Sequence, residues 1–518
     1  MAGRITATVQ EWASQFLSRS VLITFIIAAV LLYHVGRAIH LIWFHPLSKY
    51  PGPWFAKISP LYDFFVALGE RRAQHFEYLH KRYGPVVRFG PNQLSFITPT
   101  AFKEIYGFQA NVRKADALVA TQSDPDTVST LSDPYKKSAL AKRKILSQGF
   151  SESALKHSEE YIIDQIKVLC RCLVDPETER VKDMSLWLNY LAYDIMGEVV
   201  FGQGFNMLTE TTLRYILPLI DSMVFSMLLG GTLPALHKSG LINIMFPRIY
   251  RGRKKFIQLA EERVTQRLET DNPTEGGRKD FFYHLLRAKD EETGKPLSRA
   301  RLLTEGVLLV TAGSDTTSTG LAGTLFYLVK HKRCMERLRA ELDQNFEHVD
   351  QIKTGTALAR CVYLRACVEE GLRMAPPGPG MTPRTVLKGG QIIDGNFLPE
   401  GTTIGCAIWA LGYNPEYYPD PEEYRPERYL YHESASEADV LRAKSSYWPF
   451  LTGVRKCPGM KMAYQELYLT IARLVYLFDM TPEKPEELVG NFDMLDHFNV
   501  KKYGPYLSFK LREGRSLD

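Results

Sequence analysis

A ten-residue loop near the C-terminus constrains the fold of this chain more than any other stretch. Residues 450–459 read F-L-T-G-V-R-K-C-P-G, and a helical pattern follows at once. Cys457 therefore lies where a loop opens into a helix, and amide N–H groups at a helix start lower the pKa of a nearby thiol. Gly453 and Gly459 carry no Cβ, which lets the backbone pass close to a flat ligand. Arg455 lies within reach of an anionic group on that ligand, so the loop indicates a flat, anionic metal cofactor bound through sulfur.

An inert packing cysteine is the alternative interpretation of Cys457, since free cysteine is most often buried as a small apolar residue. Here, however, the pattern F-x-x-G-x-R-x-C-x-G is complete, and it resembles the haem loop of the cytochrome P-450 family. The resemblance, to a fungal microsomal type, covers residues 45–518. It implies haem b as the cofactor and Cys457 as the axial ligand of the iron. The other residues that it assigns to the cofactor in this loop are Phe450, Gly453, Arg455 and Gly459.

The composition argues against several other classes of protein. The 518 residues are 45% hydrophobic and 24% charged, which allows a large buried core. Of the seven cysteines only Cys170 and Cys172 are close together, so we expect no disulfide framework and a reducing compartment. The net charge of +6 is small and dispersed. It argues against a nucleic-acid partner, but it is compatible with a basic docking face for an acidic protein.

An apolar run near the N-terminus predicts a membrane anchor. Residues 21–33 are strongly apolar, and a mixed flank to Phe44 brings the run to the roughly 20 residues that cross a bilayer. A cleaved signal peptide is the alternative, but no small-x-small cleavage site follows the run. Three prolines and a glycine then predict a semi-rigid hinge. We therefore divide the chain into a luminal tail with its anchor (1–44), the hinge (45–56) and a haem-thiolate catalytic domain (57–518). The resemblance implies the endoplasmic reticulum membrane, with the catalytic domain facing the cytosol.

A long apolar helix is predicted over residues 302–330, and it carries the polar sequence A-G-S-D-T-T from Ala312. Glycine, acidic and hydroxyl residues are poor helix formers, and such a conflict in a buried helix indicates a functional site. Ala312 and Gly313 let a flat ligand approach, and the Thr316 hydroxyl can bond to a carbonyl one turn earlier. Splitting dioxygen requires protons, so Thr316 and Asp315 form a candidate relay. The motif resembles the A/G-G-x-D/E-T-T helix of the family. A break between two helices is the alternative.

The resemblance assigns two further arginines to the haem propionates. Arg143, in a basic helix at residues 138–150, falls where family members bind one propionate, although Ala139 replaces the tryptophan that makes the second contact. Arg384 follows a proline-rich stretch and is placed for a propionate as well. The basic helix is otherwise an ordinary solvated face. Its lysines are alternatively a surface that receives an acidic reductase; they are Lys136, Lys137, Lys142 and Lys144.

A structural cluster is predicted from two separate motifs. Glu370 and Arg373 lie three residues apart on one face of a helix, a common pair that is worth a few tenths of a kcal/mol at a surface. The sequence P-E-R-Y at 426–429 is similar to the P-E-R-F of the family. It implies that Arg428 joins Glu370 and Arg373 in a buried cluster behind the haem. These three residues are expected to be structural rather than catalytic.

The fold expected from these features is mainly α, with a small β-rich lobe that includes a hairpin at residues 83–97. The resemblance makes it the cytochrome P-450 fold with an N-terminal transmembrane helix. Several segments are candidate walls of the substrate pocket: residues 108–134, Met381, Thr382 and the turn at 504–506. The apolar segment 223–234 is either plain core or a loop that dips into the membrane.

The function that the resemblance implies is monooxygenation of a lipophilic secondary metabolite (polyketide, aromatic or terpenoid), with hydroxylation as the first expectation. The sequence carries no flavin or iron–sulfur signature, so electrons from NADPH must arrive through a separate protein. NADPH–cytochrome P-450 reductase is the implied partner, and a b-type cytochrome is a second candidate. Oxidative phenol coupling or ring closure is the alternative reaction. A haem-thiolate isomerase or haem sensor is a third hypothesis, but Asp315 and Thr316 argue against it because such proteins need no proton relay.

Overall fold

Helices make up most of the part of the chain that this computed structural model describes, namely residues 2–122, 126–270, 280–290, 293–431 and 436–517. The α-helices are α1 (Ala2–Ile39), α2 (Trp54–Ile58), α3 (Leu61–Leu68), α4 (Arg72–Tyr83), α5 (Pro99–Tyr106), α6 (Lys136–Gly149), α7 (Glu152–Val174), α8 (Met184–Phe201), α9 (Ile216–Thr232), α10 (Pro234–Lys238), α11 (Leu241–Met245), α12 (Pro247–Thr270), α13 (Phe281–Arg287), α14 (Arg299–Lys330), α15 (Lys332–Asn345), α16 (Thr356–Arg360), α17 (Val362–Met374), α18 (Ile408–Gly412), α19 (Glu437–Ser445) and α20 (Met460–Leu477). Short 3₁₀ turns at Asp116–Thr121, Val349–Gln351, Pro426–Tyr429, Gly453–Arg455 and Pro485–Leu488, and a π-turn at His40–Phe44, complete the helical elements.

Within the described ranges, the strands are short and form four small sheets. They are β1 (Val86–Gly90), β2 (Gln93–Phe96), β3 (Val112–Lys114), β4 (Lys182–Asp183), β5 (Arg384–Val386), β6 (Gln391–Ile393), β7 (Asn396–Leu398), β8 (Thr403–Cys406), β9 (Phe478–Pro482), β10 (Met494–His497), β11 (Asn499–Lys502) and β12 (Tyr506–Leu511). The largest sheet has the order β1-β2-β8-β5-β3, in which only the β2–β8 pair is parallel. The predicted hairpin is present, with Val86 opposite Phe96. The mainly helical fold with a small β lobe is thereby confirmed.

Helix α14 runs through the centre of the helical region. The Ser298 side chain caps its N-terminus by accepting a hydrogen bond from the amide of Arg301. Apolar residues occur all around the helix, as expected of a helix that is buried on most sides. It packs most extensively against α8, and also against α12, α17 and α20. Because α20 follows the Cys457 loop directly, this packing fixes that loop relative to α14.

Segment 223–234 belongs mostly to helix α9 rather than to a loop. Leu228 and Leu229 of α9 are buried against Phe64 and Ala67 of α3. The segment is therefore core on that side. The neighbouring hairpin β10–β11 places Phe498, at its tip, against the same cluster.

The apolar stretch Val21–Phe44 is long enough to cross a membrane by length and composition, and it makes no buried contacts over its spanning window. The end of this stretch and the residues that follow it are packed. The fully buried Arg88 of β1 donates hydrogen bonds to the carbonyl oxygens of Leu41 and Pro91, and its amide donates to Pro51. The segment after the anchor is therefore fixed onto the β lobe.

Candidate functional site

The loop around Cys457 is closed by its own backbone. The amide of Cys457 donates to the carbonyl oxygen of Phe450 at 2.8 Å, and Gly459 caps helix α20. Gly453 has φ of +66°, and a Cβ there would collide with the carbonyl oxygen of Tyr106. Only glycine fits this position without strain. The loop therefore holds the sulfur of Cys457 at the start of α20, as the sequence predicts.

Cys457 is exposed, although many protein atoms surround its thiol. Burial raises the pKa of the thiol, and the amide of Gly459, followed by the charges of Arg143 and Lys456 and then the amide of Met460, acts in the opposite direction. The amides do point at the sulfur as predicted, but burial outweighs them. A bound iron ion would reverse this balance, because a thiol that coordinates a metal is deprotonated outright.

Helix α14 exposes an unusual strip of its backbone at the A-G-S-D-T-T sequence. Ala312 is exposed and Thr316 is half-buried, although both lie in the middle of a buried helix. The hydroxyl of Thr316 donates to the carbonyl oxygen of Ala312 at 2.6 Å. The helix stays continuous through the sequence, so the predicted local opening is limited to this hydrogen bond. At Gly313 a Cβ would meet Met196 of α8, which explains why the helices approach so closely here.

The carboxylate of Asp315 contacts α8 and the β10–β11 hairpin. Its Oδ1 accepts from the hydroxyl of Tyr193 at 2.9 Å, and its Oδ2 accepts from the side-chain amide of Asn499 at 3.4 Å. Burial raises the pKa of Asp315, while the charge of Lys502 and these two hydrogen bonds lower it. Asp315 is therefore a half-buried acid with specific partners, which is the usual setting of a proton-transfer group.

Four cations converge near the loop: Arg143, Arg384, Arg455 and Lys114. Burial, followed by the charges of Arg455, Arg384 and Arg143, lowers the pKa of Lys114 well below its ordinary value. Burial and the charge of Arg384 lower the pKa of Arg455 to about 10. Asp133 opposes this charge, but it is itself paired with Lys142 at 2.8 Å. The cluster thus carries an excess of buried positive charge, which favours an anionic ligand.

Two of these arginines retain unused donors. Nη2 of Arg384 and Nη1 of Arg455 are buried and have no hydrogen-bond partner among the described residues. The other groups of these side chains are fixed, since Arg455 donates to Tyr135 at 2.9 Å and Arg384 to Pro383 at 3.1 Å. A small cavity lies between them, lined also by Tyr106 and Lys114. Buried unpaired donors beside a cavity fit the carboxylates of a haem.

The residues present therefore fit haem. The exposed Cys457 can provide a sulfur ligand to iron, the exposed strip of α14 leaves room for a flat group, and the four cations can neutralise two propionates. Arg143 contributes through charge, while one of its own donors bonds to the carbonyl oxygen of Lys456 in the loop. Phe450 supports the loop from its other side, with its ring 4.9 Å from that of Tyr464.

Glu370, Arg373 and Arg428 form a buried cluster. Oε2 and Oε1 of Glu370 accept from Arg373 at 2.8 and 2.9 Å, and Nε of Arg428 lies 3.1 Å from Oε1. Burial alone would raise the pKa of Glu370, but Arg373 and Arg428 outweigh it and hold the pKa below its ordinary value. Arg373 also donates to the carbonyl oxygen of Gly412 at 2.8 Å. The cluster therefore ties helix α17 to Gly412, at the end of α18, and to the 3₁₀ turn that contains Arg428.

Two expectations from the sequence need correction. Lys142 is not part of an exposed basic surface, because its side chain turns inward to Asp133 and is only 13% exposed. The turn at 504–506 lines a surface cavity with Phe326 and Lys484. Phe326 lies ten residues beyond Thr316 on α14, or about 15 Å along the helix. The hairpin β10–β11, which supplies Asn499 to Asp315, is the C-terminal segment that reaches the candidate site.

Sequence reasoning missed several residues that the structure brings to the site: Lys114, Tyr193, Asn499 and Lys502. None lies in a motif with fixed spacing. Lys114 is preceded by Arg113 in a short strand, and Lys502 by Lys501, so each pair has the appearance of an ordinary solvated face. Their burial results from tertiary packing, which one sequence does not display.

Comparisons with known proteins point to one family. A sequence model of the family described as "Cytochrome P450" matches residues 51–506. The chain is 35% identical to cytochrome P450 monooxygenase AKT7 of Alternaria alternata, over 94% of this chain and 97% of that protein. It is 32% identical to cytochrome P450 monooxygenase fscF of Fusarium equiseti, over 94% and 96% of the two chains. It is 34% identical to cytochrome P450 monooxygenase atnE of Emericella nidulans, over 91% and 93%. The chain therefore belongs to the cytochrome P450 family and is a haem-thiolate monooxygenase.

Proposed function

We propose that this monooxygenase hydroxylates a lipophilic secondary metabolite of polyketide, aromatic or terpenoid type at a haem b held by Cys457. The observation that carries the proposal is that Cys457 is exposed and that, on the otherwise buried helix α14, Ala312 is exposed with Thr316 half-buried beside it. When bound, haem with a thiolate ligand supplies the activation of dioxygen. The groups that hold its propionates are Arg143, Arg384, Arg455 and Lys114.

The residues of α14 provide the protons that the reaction consumes. The Thr316 hydroxyl, held to the Ala312 carbonyl, is the group nearest the ligand space, and Asp315 behind it exchanges protons with the protein interior. Ala312 has a small side chain and Gly313 has none, so a flat group and a substrate have room beside the helix. These roles of Thr316 and Asp315 correspond to general acid catalysis through a positioned hydroxyl group.

Apolar residues of α3, α9 and the β10–β11 hairpin support the proposal that the substrate is lipophilic. Phe64, Leu228 and Phe498 form one apolar cluster between α3, α9 and the β10–β11 hairpin. Large apolar side chains face outward from α3 and from elements packed near α3 and α9: Trp54 of α2, Phe65 of α3 and Ile244 of α11 are 70%, 60% and 75% exposed. We call these three the apolar patch. A membrane surface would cover such a patch and supply substrate from the lipid.

The anchor and hinge complete the proposal. Residues 1–44 place a luminal tail and a single helix in the endoplasmic reticulum membrane, residues 45–56 connect it, and residues 57–518 form the catalytic domain on the cytosolic side. Electrons from NADPH arrive through NADPH–cytochrome P-450 reductase, with a b-type cytochrome as a second donor. The exposed lysines Lys136, Lys137 and Lys144 are the docking charges.

The first test is the absorption spectrum of dithionite-reduced membranes with and without carbon monoxide. We expect the far-red-shifted Soret band of thiolate-ligated haem, and its loss in Cys457→Ala. The matched control is Cys406→Ala, a buried cysteine in β8, which should keep the band. A Soret band at the histidine-haem position, or haem-free folded protein, would contradict the proposal.

The second test separates hydroxylation from coupling. Purified enzyme with reductase, NADPH and ¹⁸O₂ is given a panel of lipophilic substrates, and products are analysed by mass spectrometry. Hydroxylation adds one labelled oxygen atom to the product, whereas phenol coupling or ring closure removes hydrogen without adding label. Thr316→Ala should divert NADPH consumption into hydrogen peroxide in either case.

A further inference from the structure

A buried lysine lies beside the candidate proton relay. Lys502, in strand β11, is only 9% exposed. Its Nζ donates to Oδ1 of Asn189 at 2.9 Å and to Oγ of Ser318 at 3.0 Å. Ser318 lies three residues after Asp315 on α14, and its hydroxyl also bonds to the Asp315 carbonyl oxygen at 3.1 Å. A strand from the C-terminal part of the chain thus delivers an ammonium group to the helix turn that carries Asp315.

Other charged groups face this pair from each neighbouring element. Asp221 of α9 acts on both Asp315 and Lys502, and Asp183, just before α8, acts on Lys502. Asp221 is in turn paired with His497 at 3.0 Å and Lys501 at 3.5 Å. Asp221 is therefore already paired with His497 and Lys501, while Lys502 is directed inward.

The charge of Lys502 favours an ionised Asp315. Burial raises the pKa of Asp315 above its ordinary value, and the charge of Lys502 comes first among the influences that limit this rise. Burial lowers the pKa of Lys502 to about 8, against the opposing charges of Asp315 and Asp221. Without a nearby cation, a buried carboxyl group takes up a proton and becomes neutral.

We propose that Lys502 is a positioning residue for oxygen activation, which keeps Asp315 an ionised carboxylate held by Tyr193 and Asn499. An ionised Asp315 accepts a proton from the interior and then releases it toward Thr316, whereas an Asp315 that retains its proton has no free site to accept the next one. This inference rests on the proposed function, because it assumes that Asp315 and Thr316 deliver protons.

The decisive measurement is infrared spectroscopy of the full-length haem-loaded enzyme in lipid nanodiscs at neutral pH. The carboxylic acid band of Asp315 is identified by its loss in Asp315→Asn. We expect this band to be absent in the wild type and present in Lys502→Met. Lys502→Arg, which keeps the cation, should restore the wild-type spectrum. The matched control is Lys501→Met, the adjacent lysine on the outer side of the hairpin, which should leave the band absent.

Turnover with reductase gives the second readout. In Lys502→Met we expect the fraction of NADPH recovered as product to fall about tenfold, with hydrogen peroxide rising and the substrate KM little changed. If Lys502→Met does not yield haem-loaded protein, Ser318→Ala removes one hydrogen bond of the ammonium and should produce the same spectral change in part. The proposal would be overturned if the Asp315 band were identical in the wild type and in Lys502→Met, or in Ser318→Ala where that variant is used instead.

The two proposals fail in different ways. If Thr316→Ala leaves coupling of NADPH to product unchanged, the proton-delivery function itself is wrong. If Thr316→Ala uncouples the enzyme while Lys502→Met leaves both the infrared band and the coupling at wild-type values, only the role of Lys502 is wrong.

Discussion

Nε of Arg428 lies 3.1 Å from Oε1 of Glu370, and both side chains are almost completely buried, at 6% and 0% exposure. Because Glu370 also holds Arg373, its removal leaves two buried guanidinium groups without their carboxylate. We expect Glu370→Gln to lower the free energy of unfolding by about 3–5 kcal/mol. Urea denaturation followed by circular dichroism measures the change.

The neighbouring acid provides the control for that prediction. Glu369→Gln changes a carboxyl group whose pKa is raised by burial, so its loss should be neutral or slightly stabilising. The pH dependence follows from the lowered pKa of Glu370. The contribution of Glu370 to stability is complete above the ordinary carboxyl pKa. It is lost as the pH falls through the lower pKa that Glu370 has in the folded protein. A destabilisation equal in both variants would contradict a special role for the cluster.

Glu466 of α20 is expected to oppose folding at neutral pH. It is fully buried, its Oε2 has no hydrogen-bond partner among the described residues, and burial raises its pKa to about 8. The folded protein therefore retains a proton that the unfolded chain releases above its ordinary carboxyl pKa. Stability should fall by about 1.4 kcal/mol for each pH unit between that value and about 8. In Glu466→Gln this decline should disappear from denaturation curves measured across that range, and an unchanged slope would refute the assignment.

Lys114 is expected to help retain haem. Its ammonium group is buried beside Arg384 and Arg455, and a charge-assisted hydrogen bond contributes about 1.5–3 kcal/mol. We predict that Lys114→Met releases haem to apomyoglobin about 10- to 100-fold faster than the wild type. Lys137→Met is the control, because Lys137 is exposed on α6 and should have no effect. Equal rates in the two variants would place Lys114 outside the propionate site.

The apolar patch is expected to bind membranes without the anchor. A chain lacking residues 1–44 should still float with lipid vesicles, because Trp54, Phe65 and Ile244 are available to insert. Replacing Phe65 and Ile244 with serine in that chain should abolish flotation. Phe108→Ser is the control, since Phe108 is 70% exposed but lies outside the patch. Flotation that survives the double substitution would mean that another surface holds the membrane.

The parts of the site that sequence predicts well are those with fixed local spacing. The Cys457 loop, the Ala312–Thr316 strip and the Glu370–Arg373 pair each lie within one turn or one loop, so their geometry follows from the local backbone. The Lys502–Asp315 relationship joins a terminal strand to a central helix, and no local pattern reports it. Lys142 shows the opposite error. From sequence alone the basic helix is expected to be solvated, but the fold brings Asp133 against Lys142.

The parallel pairing of β2 with β8 has a consequence for synthesis. Gln93–Phe96 leaves the ribosome early, but its partner Thr403–Cys406 follows only when most of the chain has been made. Until then β2 presents an unpaired edge beside the membrane to which the N-terminal helix is already tethered. Completion of this sheet is therefore a late, long-range step. Nascent chains that stop before residue 403 should depend on chaperones to protect that edge from other strands.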